Sequence, residues 1–493
     1  MVQSGVNIKE PFLTGFSSHL FGSAKRREQE SFRKRRQQMR VKSLSECSLQ
    51  FDSLLPAEFL DELSRTRRKN TYCDVTTFWA WAGQMLELNA SCSQAVSFVQ
   101  ASCAESGLPM PSSQTGAYCT ARKRLGEDFI TSASQRLADT MERRVRPEDH
   151  WRGMTVKSID GSSTQLEDNE ANQEEYPQSS GQAPGCGFPI MKFAAVLDHS
   201  HMGWSGHVTG STDRADTQLA HELLDHFQEG DLCLADRAFC SYELIAQLLG
   251  RGSQCVMRLH QTRAKNFTLR QGKKIGSKER LVTWQRPIRR PRGSSLSLQE
   301  WENLPEKLVM RLIVFEYRDR TGKKKRMILA TTLLDPLEYP WEAIAQLYLE
   351  RWEIELRLRD VKTTMGLEAL KVKTPEMARK SLAMGLLAYN LVRATAQDSA
   401  ITEGLEVRQI SFKGCLDTLR SMRMLFAGRW RQRCRCLELH GKMLEVIATK
   451  LIDFRPDRWD PRLKKKRPKP FGWLKKRRSQ YKQEYLDAVP STI

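Results

Sequence analysis

Apolar residues recur at two different periods along this chain, and the change from one to the other divides it. Up to about residue 150 the spacing is helical. The run Phe78-Trp79-Ala80-Trp81-Ala82-Gly83-Gln84-Met85-Leu86 predicts a buried helix. Pro111-Ser112-Ser113 precedes a short segment ending in Arg122-Lys123-Arg124-Leu125, the form of a serine-capped recognition helix. From Thr155 short strand-like runs take over, at 155–160, 193–197, 206–210, 232–236 and 254–259. The first and fourth of these end on an acid, Asp160 and Asp236. Helices are predicted over 213–228, with Leu219, Leu223, Leu224 and Phe227 on one face, and over 241–249. Strands first and alternation with helices afterwards predict an α/β fold, a mixed sheet covered by helices.

Residues 260–325 interrupt this rhythm. They are basic, contain Pro287 and Pro291, and hold a predicted strand at 308–317. The segment 327–332 returns to the sheet, and Pro340 opens a helix that carries Glu355. Further helices are expected at about 376–398, 406–426 and 440–452, before a Pro- and Lys-rich end from Arg455 that reads as extended or disordered. Four parts follow: a helical N-terminal region (1–150), an α/β region (151–400) with a β-rich insertion (260–325), a C-terminal helical region (401–455) and a basic tail (456–493).

Charge sharpens this division. The net +21 of the 493 residues is carried by three segments. Residues 21–42 hold nine Lys/Arg against two acids, 261–292 eleven against one, and 454–485 thirteen against three. Positive charge gathered in this way suits a polyanion such as nucleic acid. The twelve cysteines form no Cys-x-x-Cys pair, which excludes the common zinc spacings. With no secretory signal they read as reduced thiols of a cytoplasmic protein. The apolar window 382–392 is too short to span a bilayer, so no membrane role is expected. His199, His201 and His207 are expected in turns or at the surface.

The candidate chemistry lies around Glu355. If 348–362 is one helix, Tyr348, Arg351, Glu355 and Lys362 fall within an arc of about 60°, while Glu350, Glu353 and Asp360 fall outside it. An acid flanked by two cations and a phenol on one face can hold a metal ion and grip phosphates beside it. Asp160 and Asp236, each where an apolar strand meets a loop, can converge with Glu355 across the sheet. Converging carboxylates repel one another unless cations sit between them, and oxygen ligands suit Mg2+ or Mn2+. Two such ions act on a phosphodiester, with Arg237, Arg351 and Lys362 neutralising phosphate charge.

Together these residues resemble the insertion-sequence-four group of DDE transposases. The likeness runs from Ile159-Asp160-Gly161-Ser162-Ser163 through Asp168-Asn169-Glu170-Ala171-Asn172 and Gly185-Cys186-Gly187-Phe188-Pro189 to Asp236-Arg237-Ala238-Phe239 and Leu334-Asp335-Pro336. Tyr348, Arg351, Glu355 and Lys362 reproduce the group's Tyr-x2-Arg-x3-Glu-x6-Lys signature, and Arg467-Pro468-Lys469-Pro470 resembles its basic ending. The resemblance implies a ribonuclease H-like fold. It also implies that Asp160, Asp236 and Glu355 bind two divalent ions and catalyse hydrolysis and strand transfer at transposon ends. Tyr348, Arg351 and Lys362 would hold the phosphates there. The N-terminal region would recognise terminal inverted repeats, and the C-terminal helices would pair two protomers on double-stranded DNA in the bacterial nucleoid.

Two positions depart from the group's pattern. Ala238 stands where glycine is frequent, and Met327 occupies the place of the aromatic that takes a flipped base in relatives that form hairpins. Trp284 and Trp301 in the insertion are expected to be core. Two other readings stay open on the sequence: a DNA-binding repressor or domesticated protein without strand transfer, and a stand-alone nuclease.

Overall fold

Strand β1 (Thr155–Leu166) organises the molecule, because neighbours pair with it on both sides. The computed structural model describes residues 50–51, 53–66, 71–105, 107–291, 293–318, 324–427, 433–452 and 472–488. The basic segment 21–42 and the motif Arg467-Pro468-Lys469-Pro470 lie outside these residues.

The N-terminal helices are α1 (Ala57–Leu63), α2 (Asp74–Leu86), α3 (Cys92–Glu105), α4 (Gly116–Arg124) and α5 (Glu127–Glu142). The run from Phe78 to Leu86 lies in α2 as its pattern predicts, with Phe78, Trp79 and Trp81 fully buried. Helix α4 differs from expectation. Its N-cap is Thr115, without a side-chain cap bond. Tyr118 and Arg122 turn inward, Arg122 lying 4.2 Å above the Trp81 ring, while Lys123 stays exposed.

After β1 come α6 (Glu170–Glu175), β2 (Ile190–Asp198), β3 (Gly203–Gly210), α7 (Asp216–Glu222), β4 (Asp231–Ala235), α8 (Tyr242–Gly250) and β5 (Gln254–Arg258). The helix expected over 213–228 is split into α7 and a short 3-10 turn at Leu224–His226. Leu219, Leu223, Leu224 and Phe227 are nevertheless all buried in one cluster. His199 and His201 do sit in the β2–β3 turn, but inside it: both are buried, and Ser158 Oγ lies 2.6 Å from His199 Nε2. The turn folds back against β1, where the His199 amide bonds the Val156 carbonyl.

The insertion contributes α9 (Gln261–Asn266), β6 (Lys273–Lys274), β7 (Glu279–Gln285), α10 (Leu298–Glu302) and β8 (Lys307–Arg318), and leads into β9 (Lys324–Thr331), where the chain was expected to return to the sheet. It is not a separate lobe. Strand β9 pairs antiparallel with β5, so one sheet runs β3-β2-β1-β4-β5-β9-β8-β7-β6. Strands β1, β4 and β5 are parallel; the rest of this path is antiparallel. Trp301 is core, as expected, whereas Trp284 is half-buried beneath Arg263 at 3.9 Å. Several of the insertion's cations serve the fold: Arg280 and Arg286 donate to main-chain carbonyls. Lys273, Lys274 and Lys278 remain exposed.

The chain then forms α11 (Trp341–Leu349), α12 (Trp352–Arg359), β10 (Ala369–Leu370), α13 (Pro375–Glu403), α14 (Phe412–Ala427), α15 (Arg433–Ala448) and α16 (Arg478–Ala488). Helix α13 is buried along most of its length. It joins α2, α5, α14 and α15 in one apolar core that also takes in Phe193 and Leu197 of β2. The two faces of the central sheet form separate cores. Ile159, Cys233 and Ala235 face α7 and α8, while Val156, Leu232 and Leu234 face α11. A mixed sheet with helices on both sides fits the ribonuclease H-like class. Among the described residues no helix is long and apolar enough to cross a membrane.

Candidate active site

Asp160 does not end its strand, as the sequence pattern suggested; β1 continues six residues further, to Leu166. What ends there is the parallel neighbour. The β1–β4 ladder closes at Ile159↔Ala235, so Asp160 and Asp236 are the next residues on two adjacent parallel strands. Strands in a sheet lie about 4.8 Å apart and alternate their faces. Ile159 and Ala235 both point into the α7–α8 core, which turns Asp160 and Asp236 together toward the opposite face, where α11 lies.

Glu355 reaches that face from α12. The single helix expected through 348–362 is instead two helices and a π turn. Between α11 and α12 the backbone tightens, with bonds from Arg351 N to Tyr348 O and from Glu353 N to Glu350 O. The break lets the segment serve two cores: Ile344, Leu347 and Tyr348 pack on the sheet, and Ile354, Leu358 and Val361 pack against the α13 core. One straight stripe could not do both. After Arg359 the helix widens into the π turn Asp360–Thr364, closed by Met365 N to Asp360 O at 3.0 Å. Gly366, at φ 78°, reverses the chain, a conformation that side-chain-bearing residues rarely adopt. Thr164 Oγ1 of β1 then donates to Leu367 O at 2.8 Å, fixing this segment to the strand that bears Asp160.

Arg351 joins the acids. Its side chain is almost wholly buried, and its guanidinium donates to Glu355 Oε1 at 3.0 Å and lies 3.8 Å from Asp160 Oδ2. Burial raises the Asp160 carboxyl to about 6, against the opposing pull of the Gly161 amide and Arg351; repulsion from Glu355 and Asp236 adds to the rise. The arginine is itself held more firmly protonated by Tyr348 and the three acids, despite its burial. All three acids therefore feel one cation. Among the described residues no three His, Cys, Asp or Glu side chains stand together as a ready ligand cluster. The guanidinium takes the countercharge position between two of them. The donor set still fits a divalent ion: carboxylate oxygens only, one of them in a carboxyl that burial and two neighbours push toward neutrality.

A groove of about 430 Å³ opens beside the acids, lined by Asp160, Ser162, Glu355, Arg359, Lys362 and Glu368 among others. Lys362 and Glu355 thus share one opening although Lys362 sits in the π turn and Glu355 on α12. Asp236 stands next to this groove and does not line it. Arg237 follows in a 3-10 turn and is exposed. Tyr348, expected to face phosphates, is buried instead, its hydroxyl donating to Ala235 O at 3.3 Å. It braces the strand end that carries Asp236. Sequence reasoning passed over Trp352, which is half-exposed with the Arg351 guanidinium 4.8 Å above its ring. Its signal was present: an indole off the buried 354-358-361 stripe must face outward beside Arg351.

The sequence is similar to those of known proteins. The sequence profile of the Transposase DDE domain family matches residues 151–391. The chain is 26% identical over 357 residues to the transposase InsG for insertion sequence element IS4 of Escherichia coli K12, a match covering 71% of this chain and 76% of that protein. A shorter stretch of 72 residues is 38% identical to the putative transposase InsL for insertion sequence element IS186A of the same strain and to the transposase for insertion sequence element IS421 of Escherichia coli. It covers 15% of this chain and about a fifth of each of those proteins. With the paired aspartates, the signature residues from Tyr348 to Lys362 and the family match over residues 151–391, this chain belongs to the insertion-sequence-four group of DDE transposases and is a DNA transposase.

Proposed function

We propose that Asp160, Asp236 and Glu355 are the catalytic carboxylates for cutting and joining DNA at the ends of the element, and that they hold two divalent ions, Mg2+ or Mn2+. The observation that carries this reading is the shared guanidinium: Arg351 lies between Asp160 and Glu355, and the field of Asp236 reaches the same point. Ions bound there would supply the Lewis acidity that activates an attacking oxygen and stabilises a leaving one.

The chain's own residues would do the rest. Arg351 Nε is buried without a hydrogen-bond partner, a donor available to a phosphate once the guanidinium turns from the acids. Lys362, which lines the opening, and the exposed Arg237, next in sequence to Asp236, neutralise the DNA backbone. Tyr348 serves from inside by holding the end of β4. The duplex substrates are the terminal inverted repeats and the target DNA, engaged by a homodimer within the bacterial nucleoid. Residues 1–150 read the repeats, 151–400 carry the chemistry with 260–325 inserted, 401–455 help pair the protomers, and the 456–493 tail adds affinity.

A labelled duplex carrying the element's end tests this. Cleavage and joining are expected to require Mg2+ or Mn2+ and to disappear in Asp236→Ala; normal transfer by that variant overturns the assignment. Binding of the repeats without cleavage under any divalent ion would select the repressor reading. Products cut but never joined would select a nuclease.

A further inference from the structure

Behind Glu355 a polar network runs into the protein body without facing the groove. Arg357 donates to Glu353 at 2.6 Å and to Asp360 at 3.3 Å. Asp360 also faces Arg393 of α13, at 3.6 Å. Arg393 is wholly buried; its Nε donates to Tyr389 Oη at 3.0 Å and its Nη1 to Ile410 O at 3.3 Å, with the Phe412 ring 5.1 Å beneath it. Tyr389 Oη in turn donates to Met202 O in the β2–β3 turn at 3.1 Å. Two cations and two carboxylates balance, which is what makes their burial tolerable.

The network ends on the residue that opens the π turn. A π turn is rare and is found mostly as a single turn within an α-helix, frequently at a functional site. Here the carboxylate of Asp360 is gripped by arginines from two helices while its carbonyl takes the closing bond from Met365. The turn carries Lys362 into the groove that Glu355 lines. We propose that Asp360 and Arg393 are positioning residues for the transposase reaction, holding the π turn so that Lys362 and Glu355 meet one phosphodiester. This rests on the reading of Glu355 and Lys362 given above.

Asp360→Asn keeps the shape of the side chain and removes its charge, leaving Arg393 buried without its counterion. The double variant Asp360→Asn/Arg393→Met removes both members. The variant proteins, with the wild type and Glu355→Gln beside them, are assayed on the labelled end duplex with Mg2+ for cleavage rate, DNA Kd and Tm. The expected result is a lower Tm for Asp360→Asn that recovers in the double variant. The cleavage rate stays down by about 100-fold in both, the scale of a misplacement of about 1 Å, with Kd moved by less than about threefold. A double variant with recovered Tm and wild-type rate overturns the proposal, as does Asp360→Asn with wild-type rate. If the double variant does not fold, Arg393→Lys, which keeps the buried charge but not its several bonds, carries the same expectation of lost rate at unchanged Kd. A wild type that never cleaves, or Glu355→Gln that does, overturns the assignment of the site itself.

Discussion

Single side chains decide most of what this site can do, and they were unequally legible. Asp160, Asp236 and Glu355 could be singled out on sequence because acids next to apolar runs stand out, although Asp160 lies inside β1 and the expected helix stripe is broken. The roles of Arg351 and Tyr348 could not, since both depend on what lies across the sheet. Tyr348→Phe is expected to cost about 1 kcal/mol in urea unfolding, the usual worth of one hydrogen bond, and to leave DNA affinity unchanged because the phenol faces Ala235. A clear fall in affinity with intact stability would instead place that hydroxyl on the DNA. Lys362→Ala should weaken binding alike on all sequences and lower the slope of log affinity against log salt by about 1; an unchanged slope removes the phosphate contact.

His199 gives the molecule an acid-side limit. Burial depresses it to about 4, from about 6.5 in an unfolded chain. Between those values the unfolded state binds the extra proton, so stability is full above about pH 6.5 and is lost as pH falls. By pH 5 the share of His199 in the loss should approach about 2 kcal/mol, removed in His199→Gln, as measured by urea unfolding across pH; His207, depressed by burial in the same way, adds its own share. A variant with the same acid slope as the wild type would show that another group sets it. Periodicity predicted that the β2–β3 connection was a turn, but not that it folds inward, since a turn's burial depends on its neighbours.

At the scale of elements, strands were read more faithfully than helices. Short strand-like runs found β2 to β5 to within about three residues and the start of β1, which continues six residues past its expected end, because buried sheets demand continuous apolar faces. The stretch 341–364 defeated the same approach. An amphipathic pattern reports that residues are buried, not which of two cores buries them, and the break at 350–351 exists to change cores. The β1–β4 pairing has its own device. Lys157, opposite Cys233, sends its ammonium to the Asp231 carboxylate at 2.7 Å inside the protein. Lys157→Met should leave that carboxylate buried without a counterion, held only by the Gln228 amide, at a cost of about 3–5 kcal/mol in urea unfolding. A loss below about 1 kcal/mol would mean that Asp231 finds another partner or takes up a proton.

For the whole molecule, composition indicated a polyanion partner; of the three basic segments the insertion's is the one described almost in full. The lysines of β6 lie exposed at one end of the sheet, where cations also discourage pairing with another strand. The segment 327–332 returns to the sheet as expected, as β9 beside β5; the insertion, expected only to interrupt the pattern, prolongs that sheet because β8 and β7 pair on beyond β9. Deleting residues from 455 onward is expected to lower affinity for unrelated duplex DNA and flatten its salt dependence. Equal binding by the truncated chain would discount the tail.

The closing rung at Ile159↔Ala235 carries a consequence for how such a protein can change over generations. Loops around the catalytic strands can gain or lose residues while the acids stay opposite one another. A single codon deleted between 231 and 236 would slide β4 by one step and rotate Asp236 to the wrong side of the sheet, beyond repair by any nearby substitution. Heredity can therefore tinker freely with this enzyme's outline, but the five-residue ruler before Asp236 has to keep its length.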